Sequence, residues 1–377
     1  MSQRRVPLYR IYSDDEDVEA VTRVVRRGSY WSSGPEVEEL EREIAQYVGR
    51  KYAVSFNSGS SALHALLISY DFGENAGVAV PSFTFKSSVN SVILSGYRPV
   101  FYDIEDKYLG LDPEGLDFKS KVAAVLPTHY GGCPCRIDEI ADAAESSGAI
   151  LIEDAAESLG ADISKKGKVG SFGESALFSF SGNKVVTSGE GGMIVTDSKM
   201  LVDRLRAISS HGEGYTAGAF KTKLARDYLT LGSNWRMSDL TAALALSQFK
   251  KIEKLIEKRV KNSSYLSKQL GKNPEIVCPA IWEDRRSTFQ MYTIRVKNKS
   301  VRDELRKYLE KEGISTKIYF EPLHQVPYYR QFGAITDLKT TENVSDKVLT
   351  LPMYPGITRV EMDYVSEKVR AYLEWRD

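Results

Sequence analysis

The apolar residues of this chain alternate between two patterns, short continuous runs and a helical spacing. Short, mostly apolar runs predict strands at Tyr52 to Phe56, Val78 to Pro81, Pro99 to Asp103, Ala123 to Pro127 and Ala149 to Ile152. Between most of these runs, apolar residues three or four positions apart predict helices, for example Ser60 to Ser69, Lys86 to Leu94 and Arg136 to Ser147. Such a long alternation is typical of a mostly parallel sheet that is covered by helices on both faces.

The stretch Ser175 to Asp197 adds two more strands and brings the predicted sheet to seven. Beyond a glycine-rich polar segment, Ser210 to Gly232, which we interpret as a functional loop, Met237 to Leu270 has a helical pattern. The remaining sequence predicts short strands and helices: Met291 to Val296, Arg302 to Glu312, Ser315 to Ile318 and Arg359 to Trp375. We therefore predict an α/β large domain over residues 1–250 and a smaller α+β domain over residues 251–377.

Composition and charge limit the classes of function that the sequence allows. The 377 residues contain 51 Lys+Arg and 51 Asp+Glu, so nothing indicates a nucleic-acid partner. No apolar run approaches the roughly 20 residues that cross a bilayer, and three cysteines are too few for a disulfide framework. We expect a soluble, cytoplasmic protein without a membrane partner. Cys133 and Cys135 lie near His129, but a fourth ligand at zinc-like spacing is missing, so we predict no metal site.

A single lysine, Lys184, stands on the polar connection between the last two strands of the sheet. A lysine that loses hydration is more easily deprotonated and becomes a nucleophile toward carbonyl groups. The pattern is therefore compatible with a Schiff-base lysine. An ordinary solvated lysine in a hairpin loop is the alternative.

Small residues follow the first strand, in Asn57-Ser-Gly-Ser-Ser-Ala-Leu63. They allow the N–H groups of a helix N-terminus to approach an anion, as in a phosphate cradle, although simple helix capping would use the same residues. After the second strand, Phe83 and Phe85 could stack on a flat ring, and after the fifth, Glu153-Asp154 places carboxylates that need a cationic partner. Phosphate cradle, aromatic face, acid and lysine together are what a pyridoxal phosphate site requires.

Nine short motifs in this order resemble the DegT/DnrJ/EryC1/StrS sugar aminotransferases, which have the PLP transferase fold type I. The resemblance extends from about residue 6 to about residue 375. The motifs are Gly34-Pro35, Asn57-Ser-Gly-Ser-Ser-Ala-Leu63, Pro81-Ser-Phe-Thr-Phe85, Pro127-Thr-His-Tyr-Gly131, Glu153-Asp-Ala-Ala-Glu-Ser-Leu-Gly-Ala161, Phe178-Ser-Phe-Ser-Gly-Asn-Lys184, Gly189-Glu-Gly-Gly192, Asn234-Trp-Arg-Met237 and Pro322-Leu-His324.

The resemblance implies roles for individual residues. Lys184 matches the lysine that forms the Schiff base with the cofactor, and Asp154 matches the acid paired with the pyridine nitrogen. Ser179, beside Gly59 and Ser60, matches the serine that contacts the phosphate, and Phe85 matches the stacking aromatic.

Some positions depart from the family pattern or have more than one interpretation. Glu157 stands near the cofactor where the family usually has Gln or His, which requires it to be protonated or otherwise paired. His324 resembles the histidine on the substrate side, or it is an ordinary loop histidine. Tyr30, next to Trp31 in a Gly/Ser connection, either lines the site or anchors its loop.

The implied activity is transfer of an amino group, usually from L-glutamate, to a nucleotide-linked keto-deoxysugar. A homodimer is also implied, in which Asn234 contacts the cofactor phosphate of the other subunit; capping of the following helix is the alternative for this residue. A keto-sugar dehydratase that uses pyridoxamine phosphate, or a non-catalytic PLP-binding regulator, are the other functions considered. Lys184 argues against the dehydratase, because the dehydratases carry histidine at that position, and Lys184 together with Asp154 argues against the regulator. The nucleotide, the sugar and the aminated carbon stay open.

Overall fold

The computed structural model describes residues 5–32, 34–116, 122–213, 228–335 and 337–374. Its strands are β1 (Tyr52–Phe56), β2 (Gly77–Pro81), β3 (Arg98–Tyr102), β4 (Val122–Val125), β5 (Ile150–Asp154), β6 (Asp162–Ile163), β7 (Gly167–Lys168), β8 (Ser175–Ser179), β9 (Gly192–Thr196), β10 (Arg285–Arg286), β11 (Tyr292–Arg295), β12 (Ala334–Ile335) and β13 (Val348–Leu351).

Its helices are α1 (Asp15–Arg27), α2 (Pro35–Val48), α3 (Gly59–Tyr70), α4 (Lys86–Leu94), α5 (Ile137–Ser147), α6 (Lys199–Ser209), α7 (Asp239–Phe249), α8 (Ile252–Leu270), α9 (Lys299–Lys311), α10 (Pro327–Arg330), α11 (Lys339–Ser345) and α12 (Arg359–Glu374). Short 3-10 helices are formed by Pro113–Gly115, Tyr130–Gly132 and Leu323–Gln325.

The large sheet has the order β1-β9-β8-β5-β4-β2-β3-β12. All seven predicted strands are present within one or two residues of their expected ends, and the two-residue strand β12 adds an eighth at the edge. Strands β8, β5, β4, β2, β3 and β12 pair in parallel, whereas β9 runs antiparallel to both β8 and β1. The prediction of a mostly parallel α/β sheet is confirmed.

The strand residues alternate between two apolar layers, as expected for a sheet covered on both sides. Val54 packs with α3, α4 and α6 on one face, whereas its neighbour Ala53 packs with α2, α7 and the start of α8 on the other. Helix α5 covers the β4 end of that second face. Helices cover both faces of the sheet, so a ligand could reach the central strands at their ends. In such sheets, ligands bind at the carboxyl ends of the parallel strands.

The C-terminal region forms a second core from β11, β13, α9, α12 and the end of α8. The predicted strand Ser315 to Ile318 is wrong: Ile314 and Lys317 make only isolated bridges, and the partner of β11 is β13, which we did not predict. The predicted single helix Met237 to Leu270 is two helices, which are interrupted at Lys250 and Lys251.

The two cores are connected at several points. Helix α8 contributes Ile252 to the core of the large sheet and Leu266 to the second core, Val6 from the N-terminus packs in the second core, and β12 joins the large sheet. The domain boundary between residues 250 and 251 stays a prediction.

Candidate active site

A cavity of about 500 Å³ opens at the carboxyl ends of the parallel strands. Seven of the predicted site residues line it: Gly59, Ser60, Phe85, Asp154, Glu157, Ser179 and Lys184. They come from four separate segments of the chain, and the sheet brings them together because strands that are distant in sequence end at one edge.

The N-terminus of α3 forms one wall of this cavity. Ser58 caps the helix by accepting a hydrogen bond from the Ser61 N–H at 3.1 Å, which leaves the N–H groups of Gly59 and Ser60 directed outward at the first turn. A Cβ at Gly59 would lie 3.2 Å from the Ser179 Cβ, and a Cβ at Gly192 would overlap the Ser58 carbonyl oxygen. Both glycines therefore allow the hairpin strands to approach the helix, and the resulting arrangement of N–H and hydroxyl groups fits a phosphate.

The two adjacent carboxylates of β5 face opposite sides of the sheet. We expected Glu153 and Asp154 to follow the strand. Instead, the strand extends to Asp154, so both residues lie on it. Glu153 is fully buried away from the cavity and accepts hydrogen bonds from the N–H groups of Gly170, Phe172 and Gly173, each at 2.8 Å, and from His129 at 3.2 Å. These hydrogen bonds supply the partners that a buried carboxylate requires, so Glu153 needs no ligand to pair with.

Asp154 faces the cavity. Its Oδ2 accepts a hydrogen bond from the Ser88 hydroxyl at 2.6 Å, and its Oδ1 accepts one from the Ala156 N–H at 3.2 Å. The Thr84 hydroxyl is 3.3 Å from that of Ser88 and 2.8 Å from that of Thr128. This network fixes the carboxylate at 4 % exposure and orients it to receive a hydrogen-bond donor from the cavity.

Lys184 follows β8 on the hairpin connection, as predicted, and its side chain is largely buried. The Nζ lies 3.5 Å from Glu157 Oε1, and Glu157 Oε2 accepts a hydrogen bond from the Gly131 N–H at 2.9 Å. Burial raises the pKa of the Glu157 carboxyl, while the Lys184 ammonium opposes the rise. The unusual acid at this position is therefore paired, as its burial requires.

Residues of the C-terminal region close the other side of the cavity. Lys317, Tyr319 and Phe320 line it, and the rings of Phe320 and Phe85 are 6.2 Å apart between centroids. Phe85 itself is 48 % exposed and offers a free ring face. We did not predict these three residues, although they directly precede the Pro322-Leu-His324 motif. The hydroxyl-bearing Ser87 and Ser88 were also missed, one turn after Phe85.

Three predicted residues do not line the cavity. His324 is buried, with Nδ1 2.7 Å from the Ser82 hydroxyl and Nε2 3.1 Å from Glu342. Tyr30 is 59 % exposed, and the neighbouring Trp31 anchors its loop through a hydrogen bond from Nε1 to the Val24 carbonyl at 3.0 Å. Their roles toward the substrate stay predictions.

Asn234 is exposed and also lies outside the cavity lining. The residue that caps α7 is Ser238, whose side chain accepts a hydrogen bond from the Thr241 N–H at 3.3 Å. Helix capping by Asn234, the alternative raised by the sequence, is therefore wrong. The predicted functional loop Ser210 to Gly232 lies largely outside the described residues, since 214–227 are not among them.

Comparison with known proteins shows to which family the chain belongs. The sequence profile of the DegT/DnrJ/EryC1/StrS aminotransferase family matches residues 12–370. The chain belongs to this family. It is therefore an aminotransferase-family enzyme, and the resemblance seen in its motifs is confirmed.

Individual relatives cover nearly the whole chain. It is 33 % identical over 373 residues to the spore coat polysaccharide biosynthesis protein SpsC of Bacillus subtilis, covering 96 % of this chain and 95 % of that protein. It is 33 % identical over 339 residues to the GDP-perosamine synthase of Caulobacter vibrioides, with 89 % of each covered. The crystal structure of S. venezuelae DesV in complex with a ketimine intermediate superposes with a TM-score of 0.87 at 29 % identity, over 98 % of this chain and 99 % of that one.

Two further features concern other classes of function. Within the described residues, no group of three or more His, Cys, Asp or Glu side chains is arranged to hold a metal ion. The ring of His129 is instead engaged by Glu153 and by the Cys135 N–H at 3.2 Å. None of the described helices is both long enough and apolar enough to span a bilayer.

Proposed function

We propose that this chain is a pyridoxal phosphate-dependent aminotransferase that moves an amino group from an amino-acid donor, L-glutamate, to a keto group of a nucleotide-linked deoxysugar. One observation carries this proposal: Lys184, Asp154 and the N-terminus of α3 converge on one cavity in a chain of the aminotransferase family. The names of the relatives, a GDP-perosamine synthase and a polysaccharide biosynthesis protein, support a sugar substrate.

The residues of the cavity fit the cofactor. The first-turn N–H groups of α3 with Ser60 and Ser179 would hold its phosphate, Phe85 would cover its ring, and Asp154 would bind the ring nitrogen. When bound, the cofactor supplies a reactive aldehyde and a ring that stabilises negative charge on the carbon next to the amine.

The side chains of this chain then perform the proton chemistry. Asp154, held by Ser88, would keep a proton on the ring nitrogen by offering it a negative charge. The amine of Lys184, once released, would take the proton from the donor carbon that bears the amino group and would deliver it to the other carbon bonded to that nitrogen. The side chains of the second domain, including Tyr319 and Phe320, exclude water from that position.

We further propose that the enzyme works as a homodimer with shared sites, in which Asn234 reaches the phosphate of the neighbouring subunit. Support comes from the exposed apolar side chains in the same region, Tyr30, Trp31, Leu229 and Leu231, the last 92 % exposed. Isolated apolar side chains are common on surfaces, but a cluster around one segment is typical of an interface.

An absorbance experiment tests the proposed reaction. The purified protein with pyridoxal phosphate should show a Schiff-base band, which L-glutamate converts to the spectrum of the amine form. That amine form is then incubated with a panel of nucleotide keto-sugars, and the true acceptor returns the original band. A protein that binds the cofactor but shows no change with any amino donor would instead be a binding protein. Release of a sugar hydroxyl without amino transfer would indicate the dehydratase.

A further inference from the structure

Glu157 and Lys184 form an ion pair in the lining of the cavity. Their side chains are 9 % and 13 % exposed, and Nζ is 3.5 Å from Oε1. This distance allows direct attraction, and a small side-chain rotation would bring the two atoms within hydrogen-bonding distance. The other oxygen, Oε2, is held by the Gly131 N–H, so Oε1 is the atom directed at the lysine.

The groups that face this pair come from three other elements. Asp154 on β5 adds a second negative charge nearby, which acts with burial to raise the pKa of Glu157. Tyr130, from the turn after β4, and Tyr319, from the second domain, both face Glu157. Burial raises the pKa of both phenols, that of Tyr319 to about 12, so they stay neutral at physiological pH. Lys317 and Glu190 line the outer part of the cavity.

The charge of Glu157 therefore depends on the charge of Lys184. While the amine is protonated, it favours the carboxylate form of Glu157, because it opposes the rise in pKa that burial causes. Once the amine becomes neutral, Glu157 is left buried, unpaired and close to Asp154, which is an unfavourable state for a carboxylate. Taking up a proton relieves it.

We propose that Glu157 is a further catalytic residue, which accepts the proton that Lys184 must release before its amine can attack a carbonyl. An N–H bond of the Lys184 ammonium breaks, an O–H bond forms at Glu157 Oε1, and the nitrogen keeps the electron pair with which it attacks. The inference rests on the proposed function. Of the two residues usual at this position in the family, Gln has no basic atom and could not store this proton, whereas His could.

The first test uses the cofactor-free protein and needs no substrate. The reactivity of Lys184 toward acetic anhydride is measured as a function of pH, by mass spectrometry of its peptide, in the wild type and in Glu157→Gln. Removing the negative charge should move the midpoint of Lys184 reactivity about one to three pH units lower. The amide of the new side chain is nearly isosteric with the carboxylate and can still accept the hydrogen bond from the Gly131 N–H. Thermal melting verifies that the variant folds. An unchanged midpoint would overturn the proposal.

The second test separates a proton acceptor from a simple counter-ion. Pyridoxal phosphate is mixed with both proteins at one pH, and the rate of appearance of the Schiff-base band is followed. If Glu157 accepts the proton, Glu157→Gln reacts more slowly although more of its Lys184 is neutral. A faster or unchanged rate would reduce Glu157 to a counter-ion and contradict the proposal.

Glu321→Gln is the matched control, because Glu321 is exposed, follows Phe320 in the chain and is not among the described residues that line the cavity. It should leave both the midpoint and the rate unchanged. Failure of the wild type to form any Schiff-base band would count against the proposed function itself, whereas normal capture without a midpoint shift would count only against this role of Glu157.

Discussion

The predicted site residues occupy two different regions of the molecule, the buried end of the sheet and the exposed segments around it. Asp154, Glu157 and Lys184 are fixed by the sheet and by buried hydrogen bonds. Asn234 and Tyr30 are exposed and are not among the described residues that line the cavity. One chain therefore positions the groups for the chemistry, whereas the exposed residues acquire a role only if a second surface meets them.

The largest effect should come from Lys184, at the centre of the buried region. Lys184→Ala should lower turnover at least about 10³-fold, equal to roughly 4 kcal/mol of transition-state stabilisation. Cofactor binding without a Schiff base should remain, because α3 and Asp154 are untouched. Turnover is measured spectroscopically and binding by equilibrium dialysis. Amino transfer near the wild-type rate would remove Lys184 from the mechanism.

The paired carboxylates of β5 test whether the two faces of the sheet have separate tasks. Asp154→Ala should lower the rate about 10²-fold, roughly 2.7 kcal/mol, and weaken cofactor binding, because the ring nitrogen loses its counter-charge. Glu153→Ala should instead lower the free energy of unfolding by about 3 kcal/mol or more, since three N–H groups, two buried and one partly buried, lose their acceptor. Denaturant unfolding and turnover are measured on both variants. The reverse pattern would mean that Glu153 serves the cofactor.

The exposed region is tested by mixing inactive variants. Lys184→Ala and Asn234→Ala protomers, exchanged at equal amounts, should recover about one quarter of the wild-type activity. Half of the dimers are then mixed, and one of the two sites in each contains both intact residues. Gel filtration checks the oligomer, and differently tagged protomers check the exchange. A fully active monomer, or no recovery after proven exchange, would show that the sites are not shared.

The smallest effect is expected at the phosphate end of the cavity. Ser60→Ala should weaken cofactor binding about three- to tenfold, since one hydrogen bond contributes roughly 0.5–1.5 kcal/mol. Ser61→Ala is the control on the same helical turn, because the Ser61 hydroxyl bonds Asn57 and Ser58 and does not line the cavity. Fluorescence titration with the cofactor compares the two. Equal losses would indicate that the helix turn was disturbed in general.

Much of the buried region was predictable because its signals are local. The apolar runs identified the seven strands, and the residues just after or at their ends proved to line the cavity. The position of Lys184 on a hairpin between β8 and β9 also follows from neighbouring residues alone. Strand and helix spacing depend on residues two to four positions apart, so they can be seen in the sequence.

Other features depended on segments that are distant in the chain. The strand pattern identified both Glu153 and Asp154, and the family resemblance selected Asp154, but only the structure shows that Glu153 faces away from the cavity, where it is bound by backbone N–H groups. The sequence marked Glu157 as unusual, but its pairing with Lys184, 27 positions away, results from the packing of two loops. Lys317 and Tyr319 reach the site from the C-terminal region. The sequence determined the elements and the candidate chemistry, whereas contacts across the sheet and between the two cores, which no local spacing encodes, decided which groups meet.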